Sequence, residues 1–427
     1  MGTACFFYTF FSWPAQAQTY TLVIKDGHVI DPKNNINGLM DVAISDGKIV
    51  QVAKNIDARQ AVQVVNAKGM YVTPGLIDIH GHVFFGTESN HYLSNGLSAV
   101  SPDGFTFRVG VTTIVDCGGA GWKNFATFKN NIIDHSQTRV LSFLNVVGEG
   151  MIGGVYEQDT DDMNAKMAAM VAKQNKEYVV GFKVAHFEGP EWTPVDRAVE
   201  AGKLADMPVI IDFGSSNPPL SIEELFMKRL RPGDIYTHAF AQFESNAREP
   251  IVDEASKKVK PFVWEAQKRG IIFDVGYGGT SFNFSQAIPA VKSGFYPNTI
   301  STDLHTGSMN GSMKDMLTIM SKFLVMGMDE ASVIKASTWN PAQVIKREEL
   351  GHLSVGTVAD VTILNIREGT FGFFDKTGYK IEGKKKFECE MTIRSGKVVY
   401  DLNGIADPVV VKTAPQKAAS TQKSSSR

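Results

Sequence analysis

Two histidines separated by one glycine, His80-Gly81-His82, close the apolar run Pro74-Gly75-Leu76-Ile77-Asp78-Ile79. Side chains two residues apart on a strand point to the same side, so both imidazoles can aim at one point. A pair of imidazoles converging in this way suits a zinc-like divalent ion. The motif is short, and two unrelated histidines near a turn would read the same, so its weight depends on what else reaches that point. Three further groups answer that condition. Lys183 lies in Val-Gly-Phe-Lys-Val, His238 closes Asp-Ile-Tyr-Thr-His and Asp303 closes Thr-Ile-Ser-Thr-Asp, each on a short apolar run.

The elements that must position these groups are readable in the pattern around them. Eight candidate strands, Leu76 to His82, Thr112 to Asp116, Leu141 to Val146, Val179 to Val184, Val209 to Phe213, Asp234 to His238, Ile271 to Val275 and Thr299 to Asp303, alternate with helical stretches. That alternation predicts repeated β-α units and a parallel sheet, and eight strands suggest a closed (β/α)8 TIM barrel over 74–346. Catalytic groups of such a barrel gather at the strand C-terminal ends. Strands one, four, six and eight there offer His80 and His82, Lys183, His238 and Asp303. On either side lie β-rich runs with turn signals, Thr21 to Ile30 around Asp26-Gly27, Val42 to Val50 around Asp46-Gly47, Asp360 to Leu364, and Met391 to Tyr400 around Ser395-Gly396. Each turn dipeptide predicts a hairpin. Isolated hairpins are marginal, so 20–73 and 347–411 are expected to combine into one small β-sandwich, with the barrel inserted between them.

Composition sets the bounds. The chain has 427 residues, 43% of them hydrophobic, enough for a large α/β domain and a smaller one. A net charge of -2 with interspersed signs argues against nucleic acid or an anionic membrane as partner. Cys5, Cys117 and Cys389 are too scattered for a zinc ribbon or a disulfide framework. Met1 to Phe11 is apolar and aromatic and leads into Ala15-Gln16-Ala17, a small-x-small pattern, so 1–17 reads as a signal peptide without its basic start. The expectation is a periplasmic or secreted enzyme. The segment 412–427, made largely of Ala, Ser, Gln and Lys, is expected to be a disordered tail.

Taken together, these motifs resemble the amidohydrolase superfamily, and within it the amidohydrolase/deacetylase branch related to dihydroorotases and D-aminoacylases. The resemblance runs from about Thr21 to Gly404 and rests on Ile24-Lys25-Asp26-Gly27-His28-Val29-Ile30-Asp31, Pro74 to His82, Gly110-Val111-Thr112-Thr113, Pro232 to His238, Ser301-Thr302-Asp303-Leu304-His305, Asn340-Pro341-Ala342 and Gly356 to Asp360. It implies that His80, His82 and Asp303 bind the more buried metal. It also implies that Lys183, carboxylated by carbon dioxide, bridges to a second metal held by His238. Carbamate formation turns a cationic amine into an anionic oxygen ligand. The fifth strand of the family usually ends in a histidine, whereas this chain has Asp212, so either Asp212 or His186 is left to complete the second site. Tyr277 stands where relatives often carry a histidine.

The implied cofactors are one or two divalent ions, zinc foremost, with manganese, iron or cobalt as alternatives. A bound ion lowers the pKa of its water from about 15.7 towards 7 and polarises a carbonyl. Asp303 is then the expected general acid/base, though an aspartate before a helix also reads as an N-cap. The resemblance points to hydrolysis of an amide or acyl ester in a small N-acyl or O-acyl substrate. Arg108, Tyr277 and His305 are candidate substrate contacts. A dihydroorotase-like cyclic amidohydrolase and a non-catalytic ligand-binding homologue are the alternatives. A homo-oligomer is the common expectation for such a chain.

Overall fold

The computed structural model describes residues 19–214, 216–243 and 248–406. The expected signal peptide, Cys5 and the tail 412–427 fall outside these residues. Among the described residues no helix is long and apolar enough to cross a membrane.

Strands β1 (Tyr20–Asp31), β2 (Ile36–Ser45), β3 (Lys48–Ala53), β4 (Ala61–Asn66) and β5 (Tyr71–Pro74) form one sheet with three strands from the far end of the chain. Strands β6 (Leu76–Gly81), β7 (Val111–Gly121), β8 (Arg139–Asn145), β9 (Val179–Val184), β10 (Val209–Ile211), β11 (Ile235–Tyr236) and β12 (Ile272–Phe273) form a second, parallel sheet in sequence order. Strands β13 (Val361–Phe374), β14 (Lys380–Arg394) and β15 (Lys397–Asp401) complete the first. Its order is β15-β14-β13-β5-β1-β2-β3, with β4 paired to β1. The two chain ends meet where β13 runs antiparallel to β5, with Ile363 opposite Val72 and Val361 opposite Pro74. Alternating apolar residues from both ends share one core, including Ile24, Val42, Ile44, Val72, Val361, Ile363 and Met391. This burial removes a continuous apolar area from water and is the main force joining the ends.

The parallel sheet reads as its sequence requires. Every residue of β6, β7 and β9 is buried, as expected for strands covered on both faces. The helix Ala165–Gln174 buries Ala165, Ala168, Ala169 and Ala172, one stripe at helical spacing. The sheet curls until its edges are joined by residues 299–304. Thr299 bridges Asp274 beside β12, and Leu304 bridges Gly81 on β6.

Two expectations need correction. Asp26-Gly27 is not a hairpin turn: β1 runs straight through it, and the ladder with β2 shifts register there. Buried Asp41 explains the irregularity. Its carboxylate accepts N–H groups from Asp26 and Ile56, both at 2.8 Å, and pairs with Lys25. The eighth strand is not a regular strand either. Thr299 and Ser301 donate their hydroxyls to Asp274, and Asp303 turns to a φ of 53°, so backbone pairing survives only as bridges. By contrast, Asp46-Gly47 and Ser395-Gly396 form the expected tight turns with positive φ throughout.

Candidate metal centre

The ends of the parallel strands converge on one cavity of about 670 Å³, walled by His82, His186, Asp212, His238, Asp303 and His305, with Tyr92, Leu93, Met151, Phe213 and Phe243. At its floor the ligand atoms of His80, His82 and Asp303 lie within 4.8 Å of one another, the one such group among the described residues. His82 Nε2 is 2.9 Å from Asp303 Oδ1, and His80 Nε2 is 3.6 Å from the same oxygen.

The imidazoles of His80 and His238 are fixed from behind. Thr237 donates its hydroxyl to Asp274 at 2.7 Å, which leaves Thr237 Oγ1 to accept the Nδ1–H of His80 at 2.9 Å. His80 is thereby neutral with its Nε2 lone pair turned into the cavity. Burial, with Lys183 nearby, lowers its pKa to about 3, so it keeps that form at neutral pH. His238 is set the same way. Its Nδ1 donates to the Gly276 carbonyl, and its Nε2 faces Asp212 Oδ2 at 3.3 Å. Gly276 has a φ of 43°, and a Cβ there would lie 2.2 Å from Thr237 Oγ1 and 3.0 Å from both histidines. Only glycine lets this loop approach so closely.

Two buried carboxylates hold the strand ends. Asp78 accepts the His80 N–H at 3.2 Å and the Thr302 N–H and hydroxyl at 3.1 and 2.6 Å, tying β6 to the closing segment. Burial pushes its carboxyl up to about 7. Asp116 accepts the N–H groups of Val83 and Phe84 at 2.7 and 3.0 Å and steers the chain just past His82. Asp303 carries the opposite electrostatics. Burial works against its charge, but the hydrogen bond from His82 outweighs it and helps to hold the carboxyl below the ordinary range.

Lys183 is fully buried, with Nζ 3.3 Å from His80 Nε2 and 3.9 Å from Asp212 Oδ2. Asp212 therefore stands between Lys183 and His238, the place the sequence left open. His186 is one step further out. Its Nδ1 is held by Glu157 at 2.7 Å and its Nε2 lies 3.7 Å from Asp212. Burial opposes its charge, but Glu157 and Asp212 prevail and raise its pKa to about 9, so it faces the cavity as a cation. His305 lines the cavity while its Nδ1 caps the helix Thr306–Met309 by accepting the Gly307 N–H.

Two candidate substrate contacts lie elsewhere. Arg108 is exposed on the turn Phe107–Val109 that precedes β7, at the opposite end of the strand from the cavity. Tyr277 points outward, its hydroxyl donating to the Phe374 carbonyl at 3.0 Å. Phe84, Phe282 and Phe284 are core. Thr237, Asp274, Asp116 and Glu157 were not singled out by the sequence. Asp116 had a signal, since it closes the second candidate run as a lone acid at a strand end, and Asp274 lies one residue short of the end of the seventh.

Donors of this kind, imidazole nitrogens converging on a carboxylate kept ionised, fit a divalent ion. The amidohydrolase family matches residues 282–399. A deacetylase of Brucella anthropi is 34% identical over 361 residues, covering 83% of this chain and 86% of its own. The chain belongs to the amidohydrolase superfamily. A deacetylase of Enterococcus faecalis is 29% identical over 90% of this chain and 99% of its own. Among solved structures, an adenine deaminase superposes with a TM-score of 0.80 at 29% identity over 90% of this chain and all of its own. A dihydroorotase follows at 0.77 and 28%, over 89% of this chain and 99% of its own. This amidohydrolase is accordingly a hydrolase of C–N bonds.

Proposed function

We propose that this amidohydrolase is a metal-dependent deacetylase, cleaving the amide, or an acyl ester, of a small N-acyl or O-acyl substrate at the end of a (β/α)8 barrel flanked by a β-sandwich. The observation that carries this reading is the His80, His82 and Asp303 group at the floor of a cavity of substrate size. In it, these three residues hold one divalent ion, zinc foremost, while His238, Asp212 and a Lys183 carbamate hold a second. An ion bound there supplies a Lewis acid for the carbonyl and an acidified water. A charged lysine 3.3 Å from a ligand nitrogen would repel that ion, and this supports the carbamate.

Asp303 has one oxygen turned to the histidines, so Oδ2 is the atom to take a proton and pass it to the leaving nitrogen or oxygen. Gly278 leaves that oxygen room, since a Cβ there would sit 2.5 Å from it. His186 is placed by Glu157 to meet polar parts of the substrate from the cavity wall. The deacetylase reading is favoured over a cyclic amidohydrolase by extent. In sequence, dihydroorotases of Acetivibrio thermocellus and Lactococcus lactis align over 86 and 87 residues, whereas the two deacetylases align over 83% and 90% of the chain; the solved dihydroorotase, superposed over 89% of the chain, supports the fold that both groups share. The apolar start of the chain supports export, and an N-terminal sequence of the mature protein beginning near Gln18 would establish it.

The test is Asp303→Asn assayed against a panel of N-acetyl and O-acetyl substrates. Turnover is expected to fall by at least about 10²- to 10⁴-fold, because Asp303 is both an ion ligand and the proton carrier. Near-normal turnover would remove Asp303 from the chemistry, and a panel inert with wild-type protein would overturn the deacetylase reading.

A further inference from the structure

A second pocket, of about 530 Å³, opens away from the active-site cavity, between the tip of the β13–β14 hairpin and the helix Met316–Met326. Four lysines line it: Lys314, Lys322, Lys376 and Lys386. The carboxylate in its wall, Asp375, is already saturated. It accepts N–H groups from Phe284, Thr377 and Tyr379 and the Thr377 hydroxyl.

Lys322 is the unusual member. It is 1% exposed, and among the described residues no carboxylate forms an ion pair with it, Asp375 and Asp315 acting on it only from a distance. Its three N–H bonds go to neutral oxygens, Tyr277 Oη at 2.5 Å and the carbonyls of Ser312 and Phe374 at 2.6 and 2.7 Å. A buried ammonium without a counter-charge is costly, and burial accordingly pulls Lys322 down to about 7. Thr318, 4% exposed and on the same wall, has a buried hydroxyl with no partner among the described residues. Among the described residues Lys314 and Lys386 form no ion pair either. An excess of lysine charge, a buried cation without its anion and an unpaired hydroxyl donor on one wall together describe an empty half of an interaction.

We propose that this pocket binds a small oxyanion, a phosphate or a carboxylate, held by Lys314, Lys386 and the Thr318 hydroxyl over the charge of Lys322. The site has a route to the active centre. Lys322 holds Tyr277, and Tyr277 lies between Gly276, whose carbonyl orients His238, and Gly278, which packs on Asp303.

The experiment is a thermal-shift and calorimetric titration of the full-length protein at pH 6.5 with sodium phosphate and, separately, sodium acetate, at ionic strength matched with sodium chloride. The expected result is saturable binding and a rise in Tm with at least one of the two anions that chloride does not reproduce. The two salts separate a phosphate site from a carboxylate site. A Lys314→Ala/Lys386→Ala double variant, altered at the pocket rim, is expected to bind at least tenfold more weakly. A His82→Ala protein is expected to bind as wild type does, which separates this pocket from any anion taken by the metal centre. Absence of saturable binding overturns the proposal. So does binding that survives in the double variant, or that is lost with His82→Ala.

Discussion

At the scale of single residues, His80 and His238 have their far nitrogens occupied so that their near nitrogens are free. His80 shows this most clearly, because the Asp274–Thr237–His80 chain decides which nitrogen carries the proton. Replacing Thr237 by valine keeps the shape and removes the acceptor. Metal affinity is expected to fall by about 10- to 100-fold, measured by competition with a chromogenic chelator, and unchanged affinity would sink the relay. Lys322 gives a pH signature of its own. Its folded pKa is about 7, lowered by burial, against about 10.4 for a free lysine. Between those values the unfolded chain binds the proton that the folded chain has lost, so stability rises with pH across that window and is flat below it. Lys322→Met is expected to flatten the rise, read as denaturation midpoints at pH 7 and 9.5.

At the scale of elements, short segments do the positioning and long ones carry the load. The β13–β14 hairpin belongs to the end sheet, but its tip reaches the parallel sheet through Phe374, Asp375 and Lys376. Phe374 receives the Tyr277 hydroxyl, Asp375 receives the Phe284 N–H, and Lys376 lies 5.0 Å over the ring of Phe243 in the cavity wall. Tyr277→Phe is expected to cost about 1–3 kcal/mol of folding stability by leaving a buried carbonyl and lysine short of a partner. Metal content should stay the same, and a drop in it would mean that Tyr277 serves the centre directly. The legibility of the elements followed their burial and not their length, since β13 runs on to Phe374, past its expected end at Leu364. The run Val179–Val184 matches its expected bounds, because a short strand buried on both faces is apolar apart from its site residue Lys183. Strands β11 and β12 shrink to two residues each because Thr237, His238 and Asp274 leave the ladder to serve the site. Asp26-Gly27 misled because turn chemistry and bulge chemistry look alike in sequence. The tertiary partner that decided between them, Asp41, lies 15 residues on.

At the scale of the molecule, the fold brings strand ends far apart in sequence to one floor, and that floor was largely visible in advance. His80, His82, Lys183, His238 and Asp303 meet as their strand-end positions implied, and Asp212 joins them. What could not be read was direction across the sheet. Tyr277 follows a strand-end run closely and yet faces the hairpin, whereas Arg108 precedes its strand, at the end where catalytic groups do not gather. The central claim concerns metal, and the direct measurement is elemental analysis of protein purified without chelators, beside His82→Ala and Asp303→Asn. The account predicts one to two divalent ions per chain in the wild type and loss of the more tightly held ion in both variants. A wild-type protein that retains no ion after supplementation with zinc or manganese would contradict it.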